Sequence, residues 1–204
     1  GGEVGAGDLA LALERAPILV AADGGANTAL AQGYTPVAVI GDFDSLTDSA
    51  RAALPEAQMI TIAEQDSTDF DKALRHIAAP LVLGVGFLGA RIDHQLAAFN
   101  TLVRQGNRRC ILIGEKELVF HVSTKIEVGL VSGDIVSLFP MQPVTGRSRG
   151  LAWPIDELEL SPDGQIATSN RALGPVVVDS DGPGLLMIAP RRALDEVMRA
   201  LLQG

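Results

Sequence analysis

Cysteine is almost missing from this chain: Cys110 is the only one among 204 residues. No disulfide can form within the chain, which points to a reducing compartment, the cytoplasm. Cys110 sits in an apolar run and reads as a small buried hydrophobe. No apolar run approaches the ~20 residues of a membrane span, so no membrane role is expected. Basic residues are also in deficit: 16 Lys and Arg against 25 Asp and Glu give a net charge of −9. That balance argues against nucleic acid as a partner. It leaves room for a small phosphorylated substrate, because a metal ion can supply the positive charge. His76, His94 and His121 have no zinc-site spacing. Neither a G-x-G-x-x-G fingerprint nor a Walker lysine loop is present. There is no internal repeat, low-complexity tract or long linker. The chain starts at Gly1 without a methionine, which leaves room for a targeting segment or a first strand ahead of it.

What is present is an ordinary globular composition, 47% hydrophobic and 20% charged, enough for one large domain or two small ones. Residues 8–15, 26–32, 49–54, 70–78 and 92–104 read as helices, with Asp8 as the N-cap of the first. Residues 18–22, 37–40, 58–62, 81–84 and 110–114 read as strands between them. This alternation predicts an α/β domain, a Rossmann-like parallel sheet with helices on both faces. After residue 118 the pattern changes to short β-like runs at 119–122, 126–131, 135–139, 158–160, 166–169, 176–179 and 184–188. These predict a smaller antiparallel β-sandwich or barrel, closed by an amphipathic helix at 193–202. The expected domains are 1–118 and 119–204.

Candidate chemistry collects at the ends of the first four strands. Asp42 and Asp44 follow the 37–40 strand and flank Phe43. On an extended backbone both carboxylates point one way while Phe43 points into the core. At ~4 Å their repulsion is roughly 4 kcal/mol at an effective dielectric of about 20. A hard divalent cation such as magnesium relieves it and is completed by substrate phosphates. Asp23-Gly24-Gly25-Ala26-Asn27, Gln65-Asp66-Ser67-Thr68-Asp69 and the 86–93 loop with Arg91 and Asp93 end the other strands. Each alone reads equally as a turn or helix cap. Parallel strands share their carboxyl end, so the four loops should converge there. Phe70, Ala73, Leu74 and Ile77 make the buried stripe of the 70–78 helix. Asp69 and Lys72 fall on one flank and can face the aspartates. Asp71 and Arg75 fall on the other and read as a solvated surface bridge. Arg91 suits phosphate binding, with Asp93 orienting it, or the two form only a local bridge. The residues thus point to a magnesium-dependent enzyme acting on a phosphate ester or anhydride, without choosing between transfer and hydrolysis.

The segments Ala22-Asp-Gly-Gly-Ala-Asn27, Ile40-Gly-Asp-Phe-Asp-Ser45, Gln65-Asp-Ser-Thr-Asp-Phe-Asp-Lys72 and Gly89-Ala-Arg-Ile-Asp-His94 resemble, in order and spacing, those of the thiamine pyrophosphokinase family. Gly150-Leu-Ala-Trp153 and Ala167-Thr-Ser-Asn170 resemble its substrate-domain signatures. One departure is Ala90, where the family often has a second glycine. The resemblance implies an α/β domain followed by a β-sandwich, a homodimer, and transfer of the pyrophosphoryl group of ATP to the hydroxyl of thiamine with release of AMP. It implies Mg2+ held by Asp42, Asp44 and Asp69, with Asp66 close by. Lys72 and Arg91 would neutralise the phosphates, and Asp93 would support them. Asp23, Gly24, Gly25, Asn27, Ser45, Gln65 and Thr68 would line the nucleotide pocket. Thr168, Ser169 and Asn170 would contact thiamine, with Trp153 as a stacking candidate. The rivals are a pyrophosphokinase for another alcohol such as a pterin, a metal-dependent phosphohydrolase, and an inactive nucleotide sensor.

Overall fold

The structure, a computed structural model, describes residues 2–54, 58–64 and 66–203. The chain divides into two compact units, Gly1–Ala79 with Val85–Thr101, and Pro80–Gly84 with Leu102–Gly204.

In the first unit, α1 (Asp8–Leu13) precedes β1 (Val20–Ala22), α2 (Gly25–Ala31), β2 (Ala38–Gly41), α3 (Asp48–Ala53), β3 (Met59–Thr61) and α4 (Asp69–His76). The three strands form a parallel sheet in sequence order, with Ala21 opposite Val39 and Val39 opposite Met59. Parallel neighbours need a crossover, and α2 and α3 supply the two. Ala21, Ala26, Val39, Phe43, Leu46, Ala50 and Leu54 form the core beneath them. Burying a side chain of the size of Val39 or Phe43 contributes about 1.5–3 kcal/mol. The cap of α1 differs from expectation. Gly7 occupies it at φ 87°, where glycine carries no Cβ penalty, and Asp8 is the first helical residue. The Asp8 carboxylate instead accepts the Gly5 N–H at 2.7 Å.

The fourth and fifth strands do not join this parallel sheet. β4 (Val82–Val85) lies at the edge of an eight-stranded sheet, next to β5 (Cys110–Ile113), and α5 (Ile92–Arg104) connects them. β5 is antiparallel to β6 (Glu117–Val122), with Ile111 opposite Phe120. The link is only residues 114–116, and the Gly114 N–H donates back to the Glu117 carbonyl at 2.8 Å. A link that short makes a hairpin and cannot make a crossover. β7 (Lys125–Val128), β8 (Ile135–Pro140), β9 (Gly146–Leu151), β10 (Ala167–Ser180) and β11 (Leu185–Pro190) complete the sheet in the order β4-β5-β6-β11-β8-β10-β7, with β9 on β10. β10 serves two sets of neighbours. Its start pairs with β8 at Asn170–Val136, and its end pairs with β7 and β9 around Val177. Register shifts in both the β8 and the β9 pairing bend it, so the sheet curls. The expected 158–160 strand is absent; Leu160 makes only isolated bridges to Val144 and Gln165. A 3-10 turn, Arg191–Ala193, leads into α6 (Leu194–Gln203), which packs on β7. No helix among the described residues is long and apolar enough to cross a membrane.

Candidate active site

Three strand ends of the first unit open on the same edge of its sheet: β1 onto Asp23, β2 onto Asp42 and Asp44, and β3 onto the 62–68 loop that leads to α4. Asp23, Asp42 and Asp44 each offer a carboxylate oxygen, and these lie within 4.8 Å of one another. Gly41 permits the approach: a Cβ there would sit 2.9 Å from the Asp23 Cβ. Asp23 is only 3% exposed, and its Oδ1 has no hydrogen-bond partner among the described residues. A buried, unpaired carboxylate is costly. Oxygen ligands converging on one point, one of them buried and unsatisfied, fit a hard divalent cation.

Asp42 and Asp44 do not meet on an extended backbone. Phe43 between them takes the left-handed conformation at φ 66°, an outlier for a bulky side chain. A turn of that kind costs on the order of 1–3 kcal/mol. The Phe43 ring is buried, as expected. Its carbonyl accepts from Arg51 Nη2 at 3.2 Å, and the guanidinium carbon lies 5.9 Å from the ring centroid. Asp44 accepts from the Ser45 hydroxyl at 2.9 Å.

From α4, Lys72 reaches the cluster. Its side chain is 3% exposed, with Nζ 3.4 Å from Asp42 Oδ2 and 3.2 Å from Asp69 Oδ1. Burial alone would lower the Lys72 pKa, but bonding to Asp69 and the Asp69 and Asp42 charges outweigh it and hold the ammonium above its usual value. Burial raises the Asp69 pKa; Lys72 opposes this, and the Asp23 and Asp42 charges add to the rise. Asp69 and Lys72 thus share the flank of α4 that their spacing predicts. Asp71 does not behave as a surface residue. It is 2% exposed and pairs with Arg75 at 3.0 Å. Arg75 also bonds Glu64 and, at 3.2 Å, Ser67, so it ties both residues to the helix that carries Asp71.

The remaining candidates divide. Asp66 is exposed and has no ion pair among the described residues. Gln65 lies outside the described residues. Thr68 caps α4, accepting the Asp71 N–H at 3.3 Å. Gly24 makes a close approach, but to Ser45, whose Cβ would be 3.0 Å from an added Cβ; Gly25 faces open space. The Asn27 carboxamide is used within the chain: Nδ2 donates to the Ser45 carbonyl at 2.8 Å, and Oδ1 accepts from the Thr47 N–H and hydroxyl. Arg91 and Asp93 form an exposed two-bond pair, at 3.1 and 2.5 Å. The Asp93 hydrogen bond raises the arginine pKa, and the reciprocal bond lowers that of the aspartate. Among the described residues, Arg91 spends its side-chain bonds on Asp93. Its loop nevertheless reaches the start of α4, where the Phe87 and Phe70 rings lie 4.3 Å apart.

In the second unit, Asn170 is buried. Its Oδ1 accepts the Trp153 N–H at 3.1 Å and the Arg171 N–H at 2.8 Å, while Nδ2 donates to the Trp153 carbonyl at 2.6 Å. Its amide therefore holds the Trp153 backbone and has little left for a ligand. The Trp153 ring is 57% exposed, with the Arg171 guanidinium 5.8 Å from its centroid. Ser169, left-handed at φ 57°, donates its N–H to Ser137 Oγ at 3.0 Å. Thr168 is exposed.

Carboxylates and a buried lysine gathered at the carboxyl edge of a parallel sheet fit the class of α/β enzymes that act on phosphate groups with a metal ion. Residues 9–113 match the family described as "Thiamin pyrophosphokinase, catalytic domain", and residues 120–185 match "Thiamin pyrophosphokinase, vitamin B1 binding domain". The chain belongs to the thiamine pyrophosphokinase family. Among curated relatives, thiamine pyrophosphokinase 3 of Oryza sativa subsp. japonica is 28% identical, over 77% of this chain and 72% of its own. Thiamine pyrophosphokinase 1 of Arabidopsis thaliana is 26% identical, over 88% and 80%. Among solved structures, thiamin pyrophosphokinase from Candida albicans superposes with a TM-score of 0.77 at 18% identity, covering 93% of this chain and 87% of its own. The Bacillus subtilis enzyme gives 0.69 at 22%, covering 85% and 86%. At such identities these superpositions speak to the fold alone.

Proposed function

We propose that this protein transfers the pyrophosphoryl group of ATP to the hydroxyl of thiamine, yielding thiamine diphosphate and AMP. The observation that carries the reading is the Asp23–Asp42–Asp44 cluster with Lys72 buried against it. Asp23, Asp42 and Asp44 hold Mg2+, with Asp69 completing or flanking the set, and Asp66 stands near on an exposed loop. Bound there, the metal would neutralise charge on the phosphate oxygens. Lys72 adds a fixed positive charge, and Arg91 adds another once Asp93 yields it to phosphate. The thiamine hydroxyl oxygen bonds to the β-phosphorus, the bond from that phosphorus to the oxygen bridging to the α-phosphate breaks, and AMP leaves with that oxygen. A carboxylate of the cluster accepts the hydroxyl proton. Gly24, Gly25, Ser45 and Thr68 line the nucleotide site, and Asn27 shapes it. Thr168, Ser169 and Trp153 contact thiamine, with Asn170 behind them.

The same reading takes the first unit as a Rossmann-like catalytic layer and the second as a thiamine-binding sandwich folded along β10. It takes the protein as a cytoplasmic homodimer. Burial pushes the Cys110 thiol pKa up to about 12, so it stays protonated and unreactive. Val131, Ile135, Trp153 and Leu173 are exposed apolar side chains of the second unit, a candidate self-association face.

Protein, ATP, Mg2+ and thiamine should together give AMP and thiamine diphosphate in equal amounts. Phosphate released without acceptor would support a phosphohydrolase, and turnover with a pterin alcohol would support a different acceptor. Asp44→Asn should lower turnover by at least ~100-fold, in the range of losing a preorganised charge group, with the fold retained by circular dichroism.

A further inference from the structure

Arg51 lies outside every motif of the family resemblance, yet it contacts a left-handed residue at the centre of the site. Phe43 sits between Asp42 and Asp44 at φ 66°. Arg51 engages it at both ends: the guanidinium donates to the Phe43 carbonyl at 3.2 Å and lies 5.9 Å from the ring centroid. A planar cation that donates at one edge and stacks with its face can satisfy both contacts together only in a narrow set of backbone conformations. Arg51 stands next to an acidic loop, yet among the described residues it forms no ion pair with Asp42 or Asp44; it is committed to Phe43. Its helix is anchored. Thr47 caps α3 by accepting the Ala50 N–H, Asn27 holds Thr47, and Ala50 and Leu54 are buried in the core.

We propose that Arg51 is a positioning residue: it pins the left-handed turn at Phe43 and so keeps Asp42 and Asp44 converged with Asp23 in a cation-ready arrangement. The inference rests on the metal-binding reading of the cluster. It makes a prediction of opposite sign from simple electrostatics. Removing a positive charge beside a cation site should tighten cation binding through space. Releasing the turn should weaken it.

The test is titration of Mn2+ into the full chain without nucleotide, followed by calorimetry. Wild type, Arg51→Met, Arg51→Lys and Asp44→Asn are compared, each with its melting temperature. Arg51→Met should bind Mn2+ about fivefold or more weakly, the low end of what an unsupported strained residue implies. Arg51→Lys should recover part of the loss. Equal or tighter binding by Arg51→Met overturns the inference. If Arg51→Met does not fold, Arg51→Gln is judged by the same criterion. Asp44→Asn separates the two levels. Wild-type Mn2+ affinity in Asp44→Asn sinks the metal reading itself. Loss in Asp44→Asn with normal binding in Arg51→Met sinks only the role of Arg51.

Discussion

At residue scale, Gly41 is where an added methyl group would press on the acidic cluster itself. The added Cβ of Gly41→Ala would lie 2.9 Å from the Asp23 Cβ and 3.3 Å from its Cα. Backbone that close cannot step aside as a flexible side chain can. The variant should lose about 1–3 kcal/mol of stability, the usual cost of overpacking. It should also lose more than tenfold in turnover, because the strain falls on the proposed metal ligand Asp23; a thermal melt and an AMP-release assay check the two. The role of Asp23 in the cluster was within reach of the sequence. It follows β1 as Asp42 follows β2, and parallel neighbours bring such residues together. The left-handed turn at Phe43 was not, because Asp-Phe-Asp reads as extended and only the backbone of the fold shows otherwise. Ala90 was half legible. Its departure from a second glycine is visible in the sequence, but its left-handed φ of 51° is visible only in the fold.

At the scale of elements, α4 was the most readable piece. Phe70, Ala73 and Leu74 are buried at helical spacing, and Asp69 and Lys72 share the flank that faces the cluster. Helical periodicity cannot say what covers the other flank. There Glu64 and Ser67 bond Arg75, and a pair that reads as solvated becomes a buried Asp71 bonded to Arg75. β9 was illegible for a related reason: Gly-Arg-Ser-Arg-Gly-Leu has no apolar run, and it is a strand because β10 pairs with it. Between β6 and β11, His121 carries a prediction. Its Nε2 accepts the Gly184 N–H at 3.1 Å, which requires the unprotonated nitrogen. Burial lowers its pKa below the ordinary 6.5, opposed by a bond to the Gly106 backbone. A depressed folded pKa means the unfolded chain binds the proton first. The stability from neutral His121 is therefore complete above about pH 6.5 and drains away as pH falls toward the folded value. Urea midpoints at pH 7.5 and 5.5 should drop less in His121→Gln than in wild type; an equal drop in both would assign the pH dependence elsewhere.

For the whole molecule, the proposed homodimer is the most exposed statement. Ile135 and Arg171 are cross-strand partners, Leu173 follows on the same face of β10, and Trp153 lies beside Arg171. A charge at the centre of a buried apolar contact costs several kcal/mol, so Leu173→Arg should shift the molecule from twice the 21.3 kDa chain mass to one chain mass. Sedimentation equilibrium reads this directly. An unchanged dimer would move the interface elsewhere, and a monomeric wild type would remove it. The α/β alternation at the front, the β-rich second part, the identities of the aspartates and Lys72, and the family could all be read along the chain. All of these follow from local periodicity, from residue chemistry and from the order of motifs along the chain. Among the described residues, β4 and β5 pair in the second sheet and not with β1–β3, and β5 turns into β6 through a hairpin; these pairings come from the fold, because the pattern of a strand does not name its neighbours. Only the tertiary structure, too, gave Asp71 its burial, Asn170 its hold on Trp153, and Phe43 its strained turn. Each of those depends on a group distant in sequence arriving within hydrogen-bond range, and no local pattern encodes that arrival.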